Sequence, residues 1–181
     1  MQIIGGKLKG RKLASCKHSS IRPAMALVKK SIFDTLQDFV VGANVLDLYA
    51  GSGSLGIEAI SRGAEKLTLI DSDKNSIKLI KKNLEICKIN AIVICKELPN
   101  ALNKKAIRNQ KFNLIFIDPP YRAGTSIEET LKILVLNDIP AKDSLIFIES
   151  EAKCDFMIPM RLKLYKEKRY GNTKMTILCN A

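Results

Sequence analysis

The sequence VLDLYAGSGSLG, residues 45–56, joins an apolar run to a glycine-rich turn. The turn has the spacing G-x-G-x-x-G from Gly51 to Gly56, and Asp71 lies twenty residues after Gly51, at the end of the next apolar run. This spacing is typical of the first strand, turn and helix of a Rossmann-like fold that binds an adenosine compound. The glycines let the backbone approach the ligand, and the acid suits ribose hydroxyls. Spacing alone leaves a nicotinamide cofactor and other adenosine compounds open.

Asp47 helps to decide between these ligands. It lies four residues before the first glycine, so its carboxylate is expected near the N-terminus of the following helix, where a pyrophosphate would have to bind. S-adenosylmethionine carries a sulfonium and an ammonium but no phosphate, so acids at both strand ends favour it. Taken alone, Asp47 fits equally well as a strand-end residue that accepts hydrogen bonds from loop N–H groups. The cofactor candidates are Asp47, Gly51, Ser52, Gly53 and Asp71.

A second motif, Asp118-Pro119-Pro120-Tyr121, follows the apolar run 114–117. Each proline fixes φ and lacks an N–H, so the oxygens of Asp118 and Pro119 are expected to be rigid and unpaired. Two such acceptors suit the exocyclic NH2 of a nucleobase, and Tyr121 can stack on the base. For this tetrapeptide alone, a proline-rich turn after a core strand is the alternative. Together, the two motifs predict methyl transfer from S-adenosylmethionine to an amine.

Positive charge is concentrated at the start of the chain. The net charge is +12, and residues 1–33 contain eight Lys and Arg residues and no acid. A basic arm ahead of a nearly balanced domain indicates a nucleic-acid partner. For the scattered lysines elsewhere in the chain, the alternative explanation is a lysine-rich composition that serves no function. The predicted RNA contacts are Lys7, Lys9, Arg11, Lys12 and Arg22.

Length and composition predict one domain over residues 1–181, with residues 1–20 as a basic arm or hairpin. The 46% hydrophobic content is ample for a core. No apolar run is long enough for secretion or a membrane span, so a cytoplasmic location and no membrane partner are expected. Five scattered cysteines and a single histidine predict reduced thiols and no metal site. A monomer is expected.

Apolar runs alternate with helical patterns along the chain, which predicts a mostly parallel sheet with helices on both faces. Two final strands joined by a turn at 170–172 are expected to close the sheet edge. The predicted strands are 45–49, 67–71, 91–95, 113–117, 144–149, 161–166 and 174–179. Five helices are predicted, three of them at 54–62, 98–107 and 126–136. Another starts at Pro23 and has Met25, Val28, Ile32, Leu36 and Phe39 on one face. The fifth has Ile77, Ile80, Leu84 and Cys87 on one face.

Several of these segments, in this order, resemble the bacterial RsmD family. They are residues 1–13, Arg22-Pro23, 45–56, 61–64, 112–121 and 168–171. The resemblance implies an α/β, Rossmann-like S-adenosylmethionine-dependent methyltransferase fold, with a mostly parallel seven-stranded sheet and an antiparallel C-terminal strand. It also implies a 16S rRNA guanine-N2 methyltransferase that acts on rRNA within the 30S subunit or an assembly intermediate. Asp118 to Tyr121 would be its catalytic loop.

The chain departs from the family pattern at three places. Ala24, Ala26 and Leu27 stand where the family has polar residues, and Asn172 stands where it often has Asp. Where the family commonly has an Asp that can bond the adenine amine, this chain has Lys96-Glu97, so Glu97 is a further cofactor candidate.

The working hypothesis is methylation of a guanine 2-amino group in 16S rRNA, with the base turned out of its stack into the pocket of residues 118–121. One alternative is an adenine-N6 DNA methyltransferase, because the tetrapeptide recognises an amine and not a particular ring. The other is a catalytically inactive, RNA-binding ribosome assembly factor.

Overall fold

Strands and helices alternate along the chain in this computed structural model, which describes residues 1–15, 23–120 and 127–181, without the side chains of residues 23–26. The helices are α1 (Pro23–Leu36), α2 (Ser54–Ser61), α3 (Lys74–Cys87), α4 (Lys105–Arg108) and α5 (Ile127–Leu136). The strands are β1 (Asn44–Leu48), β2 (Lys66–Asp71), β3 (Ile92–Cys95), β4 (Phe112–Ile117), β5 (Pro140–Glu151), β6 (Lys163–Tyr170) and β7 (Thr173–Asn180).

The described strands form one seven-stranded sheet in the order β3-β2-β1-β4-β5-β7-β6. The pairs from β3 to β5 are parallel, whereas β7 runs antiparallel to both β5 and β6. The predicted mostly parallel sheet with an antiparallel C-terminal strand is therefore confirmed. The strand order reverses between β1 and β4, where Leu48 pairs with Ile117. In open α/β sheets, ligands bind beyond the carboxyl ends of the strands at such a reversal.

Side chains that alternate along the strands form two apolar cores, one on each face of the sheet. Val45, Leu114 and Phe116 pack with α1, α2 and α3, whereas Leu46 and Ile115 pack with α4 and α5. Successive strand residues point to opposite faces, so each near-continuous apolar strand serves both cores. Among the described helices, none combines the length and the apolar surface that crossing a bilayer requires.

The strands expected at 144–149 and 161–166 are present with different bounds, as β5 and β6, and two of the helical predictions are wrong. The continuous helix expected over 98–107 is wrong: extended backbone at Lys104 separates a 3-10 turn at Asn100–Asn103 from α4. The position predicted for Phe39, on the buried face of α1, is also wrong. That helix ends at Leu36, and a turn with positive φ at Gln37 leaves Phe39 39% exposed. In α3, by contrast, Asp73 caps the N-terminus through the Ser76 N–H, and the predicted apolar face is buried.

Candidate active site

The glycine-rich turn after β1 is held in place by the carboxylate at the end of β2. Gly51 and Gly53 have φ of 56° and 75°, a left-handed conformation that favours glycine. The Gly51 N–H donates to Asp71 Oδ2 at 2.8 Å, and Asp73 N–H donates to Asp71 Oδ1 at 2.9 Å. Asp71 therefore fixes the turn. Its carboxylate oxygens have further lone pairs, which can accept hydrogen bonds from a ligand.

Asp47 lies on β1, and its carboxylate meets the first turn of α2, near the helix N-terminus, as the sequence predicts. Its side chain is buried, and its Oδ2 accepts from the Gly56 N–H at 2.9 Å. Gly56 lets α2 approach the sheet this closely, because a Cβ there would lie 2.5 Å from Leu67 Cδ1 and 3.1 Å from Asp47 Oδ2. The third glycine of the motif therefore serves packing of the helix against the sheet.

Substitution Gly56→Ala is expected to destabilise the fold by about 1–3 kcal/mol, the usual cost of overpacking a core. The Leu67→Val change shortens the side chain that the new methyl group meets, so the double variant should unfold at a higher urea concentration than Gly56→Ala alone. Urea unfolding of the three variants and the wild type measures this. Equal stability of Gly56→Ala and wild type would contradict the packing role.

Residues from both sequence motifs line one cavity of about 640 Å³ at the carboxyl ends of β1, β4 and β5. Asp47, Gly51 and Ser52 come from the first motif and Asp118 from the second. Glu149, at the end of β5, joins them, although no sequence motif points to it. The N-terminal segment, α1 and four more residues of the first motif, Tyr49, Ala50, Ser54 and Leu55, supply the rest of the wall.

Three carboxyl groups point into this cavity from the same face of the sheet. Asp118 and Glu149 each follow their strand's core phenylalanine by two residues, and strand alternation places them on the side where Asp47 meets α2. Burial, then Glu149 and Asp47, raise the pKa of Asp118 to about 8, and no hydrogen bond from a described residue offsets this. Burial also raises the pKa of Asp47 to about 7, against the opposing bond from Gly56.

A buried carboxylate on α2 holds the N-terminal segment against the cavity. Glu58 is fully buried and accepts from the N–H groups of Ile4 at 2.9 Å and Gly5 at 2.7 Å. It also forms ion pairs with Lys29 at 2.8 Å and Arg62 at 2.9 Å. Lys29 in turn donates to Ser54 Oγ at the start of α2. The sequence signal for Glu58 is a single acid within an otherwise apolar helical run.

Asn83, on α3, joins the glycine-rich turn to the end of the N-terminal segment. Its side chain is fully buried and donates to the carbonyls of Ser52 at 2.9 Å and Ala14 at 3.1 Å, while its Oδ1 accepts from the Ala14 N–H. Sequence reasoning missed this residue, since a polar position on α3 reads as exposed. Because Asn83 bonds both Ser52 and Ala14, it couples the position of Ser52 to that of the N-terminal segment.

Within the described part of the chain, most of the other predicted site residues do not line the cavity. Pro119 is half-buried, Pro120 is exposed, and Gly53 and Asp71 lie beside the lining residues without being among them. Glu97 is exposed and does not line the cavity. Tyr121 and Arg22 lie outside the described residues. The predicted RNA contacts within them, Lys7, Lys9, Arg11 and Lys12, are all exposed, and Lys12 also reaches the cavity wall.

The basic N-terminal segment is a closed loop in the described range 1–15. Gln2 and Lys12 form an antiparallel bridge, and a 3-10 turn over Gly6–Leu8 lies between them. Ser61 Oγ donates to the Gly5 carbonyl and accepts from the Leu8 N–H. The exposed lysines are thus carried on a loop that packs on α2, beside the cavity mouth.

The residues of the cavity suit an adenosine ligand with a cationic tail. The volume lies within the usual 300–1,000 Å³ range of small-molecule sites, and apolar side chains such as Val28, Ile32 and Leu55 line it. Three carboxyl groups, Asp47, Asp118 and Glu149, line it, and in their ionised form they attract a sulfonium or an ammonium and repel a phosphate. Among the described residues, no three His, Cys, Asp or Glu side chains are close enough together to hold a metal ion.

A sheet in this strand order, with a glycine-rich turn after its first strand, is the Rossmann-like fold of S-adenosylmethionine-dependent methyltransferases. Residues 1–179 match the family described as Conserved hypothetical protein 95. The chain belongs to this family, and its resemblance to the RsmD family is confirmed.

Named relatives agree with this assignment. The "Ribosomal RNA small subunit methyltransferase D" of Buchnera aphidicola subsp. Acyrthosiphon pisum (strain APS) is 37% identical over 167 residues, which cover 92% of this chain and 86% of the relative. The protein of that name from Escherichia coli (strain K12) is 38% identical over 173 residues, covering 94% and 85%. A solved structure, "Putative methyltransferase yhhF from Escherichia coli", superposes with a TM-score of 0.88 at 35% identity and covers 99% of this chain and 97% of that one.

Proposed function

We propose that this protein transfers a methyl group from S-adenosylmethionine to the exocyclic 2-amino group of a guanine in 16S rRNA. The observation that carries the proposal is that Asp118 and the glycine-rich turn line the same cavity. The relatives' printed names support rRNA methylation, and the tetrapeptide supports an amine as the acceptor. The choice of guanine N2 follows from the resemblance to the RsmD family.

The cofactor is expected to lie along the glycine-rich turn, with Asp71 accepting from its ribose hydroxyls and Asp47 close to its cationic tail. When bound, S-adenosylmethionine supplies an electrophilic methyl carbon on a positively charged sulfur. Gly51, Ser52 and Gly53 let the backbone approach the ligand closely. The exposed side chain of Glu97 is proposed to contact the adenine.

Asp118 and Pro119 would orient the acceptor amine. The Asp118 carboxylate accepts one N–H and the Pro119 carbonyl the other, which localises the nitrogen lone pair for attack. Formation of the N–C bond makes the nitrogen cationic, and Asp118 is the nearest group in this scheme that can take the released proton. Pro120 stiffens the loop, and Tyr121 would stack on a base extruded from its strand.

The exposed basic side chains of the N-terminal loop are proposed to hold the rRNA backbone near the cavity mouth. Lys7, Lys9, Arg11 and Lys12 are exposed there, and Arg22 is proposed to extend this surface. Binding through these side chains should weaken steeply as salt rises. The substrate is proposed to be rRNA in the 30S subunit or an assembly intermediate, bound by a monomer of a single methyltransferase domain.

The pH profile tests the role of Asp118. Because burial and neighbouring carboxyl groups raise its pKa to about 8 and the ionised form is the acceptor, kcat/KM for the RNA should fall as the pH is lowered from 8 to 6, by up to about 100-fold. Substitution Glu149→Gln removes a negative neighbour and so lowers the pKa of Asp118. The normalised profile of this variant should shift toward acid.

The matched control is Glu151→Gln, the same change at an exposed position on the same strand, which should leave the profile in place. A wild-type rate that is flat between pH 6 and 8 would count against Asp118 as the ionised acceptor.

Mapping of modified bases in 16S rRNA from cells with and without this protein tests the proposal directly. One guanine should lose its N2 methyl group when the protein is absent. Labelled cofactor incubated with rRNA or with DNA separates this function from adenine-N6 methylation of DNA. Absence of S-adenosylmethionine binding in calorimetry would instead favour an inactive assembly factor.

A further inference from the structure

Helix α1 separates the candidate active site from a second concavity. Val28, Lys29 and Ile32 line the active-site cavity, whereas Lys30 and Asp34 line an open groove of about 580 Å³. At 100° per residue, these two sets of side chains point to opposite sides of the helix. An α-helix with its side chains is about 10–12 Å across, so the groove and the cavity are about one helix apart.

Positive charge dominates this groove, which lies between α1 and the edge strand β6. Lys30, Lys166 and Lys168 line it, and Asp34 is the one acid in its described lining. Among the described residues, these three lysines form no ion pair within 4 Å. The neighbouring acid Glu167 contacts Arg169 and Lys174 instead. The groove therefore keeps a net positive charge that its described surroundings do not neutralise.

Two tyrosines give the groove flat surfaces beside its lysines. Tyr165 is 61% exposed, so its ring is accessible to a ligand. Tyr170 is fixed, because its hydroxyl donates to Ser31 Oγ on α1 and Lys168 Nζ lies 5.1 Å from its ring centroid. Lysines beside exposed aromatic rings are the pairing that single-stranded nucleic acid binds, through phosphates and stacked bases.

We propose that this groove binds the RNA strand that flanks the target base, as a contact surface separate from the N-terminal loop. Lysines on an edge strand also prevent strand pairing between molecules, but that role needs neither a concave surface nor an exposed tyrosine next to it. A polyanion is the partner whose charge complements three lysines without an acidic partner. This inference rests on the proposed function at one point, because the flanking strand is part of the RNA that is proposed as the substrate.

Binding measurements separate the groove from the chemistry. The test variant is Lys30→Gln/Lys166→Gln/Lys168→Gln, and the control is Lys104→Gln/Lys105→Gln/Lys132→Gln, three exposed lysines on the opposite face of the sheet. The probes are an unmodified 16S rRNA transcript and 30S subunits from cells that lack the protein. RNA affinity over a salt series, methyl transfer and S-adenosylmethionine affinity are measured for each variant.

The groove variant should bind RNA at least about tenfold more weakly at 0.1 M salt, with a slope of log K against log salt reduced by about 2, because each phosphate contact contributes about 0.7. Its S-adenosylmethionine affinity should be that of the wild type. Tyr165→Ala should weaken RNA binding without changing the salt slope, as expected for stacking.

Equal RNA affinity and salt slope in the groove and control variants would overturn the proposal. So would a wild-type chain that binds neither probe, or a groove variant that binds RNA normally but loses self-association in sedimentation. A wild-type chain that binds RNA without methylating it would contradict the proposed function alone, and the binding data would still decide for or against the groove.

Discussion

Substitution Asp118→Asn should lower the single-turnover rate of methyl transfer by about 10³-fold while changing the affinity for S-adenosylmethionine by less than about threefold. The amide keeps the shape of the carboxyl group but cannot take up the proton of the amine. Its oxygen still accepts one N–H of the substrate amine, so the expected loss comes from the missing proton acceptor and the missing negative charge. The rate is measured with labelled cofactor and 16S rRNA or 30S subunits, and the affinity by calorimetry.

Stability separates this loss from a folding defect. Burial and two neighbouring carboxyl groups raise the pKa of Asp118 to about 8, above the ordinary value of an unfolded chain. A carboxyl group whose folded pKa is raised destabilises the fold as pH rises between these two values, because the folded state then binds more protons than the unfolded state. Since Asp118→Asn removes this charge, the unfolding free energy of the variant at pH 8 should equal or exceed that of the wild type.

The matched control is Asp143→Asn, the same chemical change at an exposed position on β5, which should keep full activity and stability. Near-normal turnover by Asp118→Asn would refute the assignment of roles to this residue. A large drop in cofactor affinity would instead move Asp118 from orienting the amine to binding the methyl donor.

Local patterns were sufficient to predict the frame of the site. The run from Val45 to Gly56 contains a strand, a turn and the start of a helix within twelve residues, so its spacing alone predicts where Asp47 meets the helix. The Asp118 motif ends a strand in the same way. Parallel strands place their carboxyl ends along one edge, which is why both motifs meet at one cavity.

Contacts between distant segments could not be predicted in this way. Glu149 follows Asp118 by thirty-one residues and becomes its neighbour only through the register of β4 and β5. Asn83 and Glu58 bind the N-terminal segment through backbone groups, which carry no sequence signature. The predicted helix over 98–107 is wrong because periodicity does not reveal an extended residue such as Lys104.

The second large effect is expected at Glu58, where Glu58→Ala should destabilise the fold by about 3–5 kcal/mol. Glu58 is 0% exposed and accepts from four donors, two of them the N–H groups of Ile4 and Gly5. Removing it leaves these groups and the Lys29 ammonium buried without their partner. Burial already lowers the pKa of Lys29, so loss of its proton would limit the cost. Urea unfolding measures the change.

A comparison with a surface pair tests whether burial is the cause. Glu65→Ala removes a partner of the exposed pair between Glu65 and Lys66, 3.8 Å apart, and should change stability by less than about 1 kcal/mol. The double variant Lys29→Met/Glu58→Leu removes both buried charges and should be less destabilised than the sum of Lys29→Met and Glu58→Leu. Additive single effects would show that the two side chains do not act as a pair.

Loss of Glu58 should also alter the active-site cavity, because Met1, Gln2 and Ile4 form part of the cavity wall. In a variant that remains folded, such as Glu58→Gln, we expect faster hydrogen exchange at the Ile4 and Gly5 amides and roughly tenfold weaker S-adenosylmethionine binding. The amide still accepts hydrogen bonds but no longer balances Lys29 and Arg62, so the N-terminal loop should open more often than the global fold. If exchange at these amides stays at the wild-type rate while cofactor affinity falls, Glu58 acts on the site by a route other than this loop.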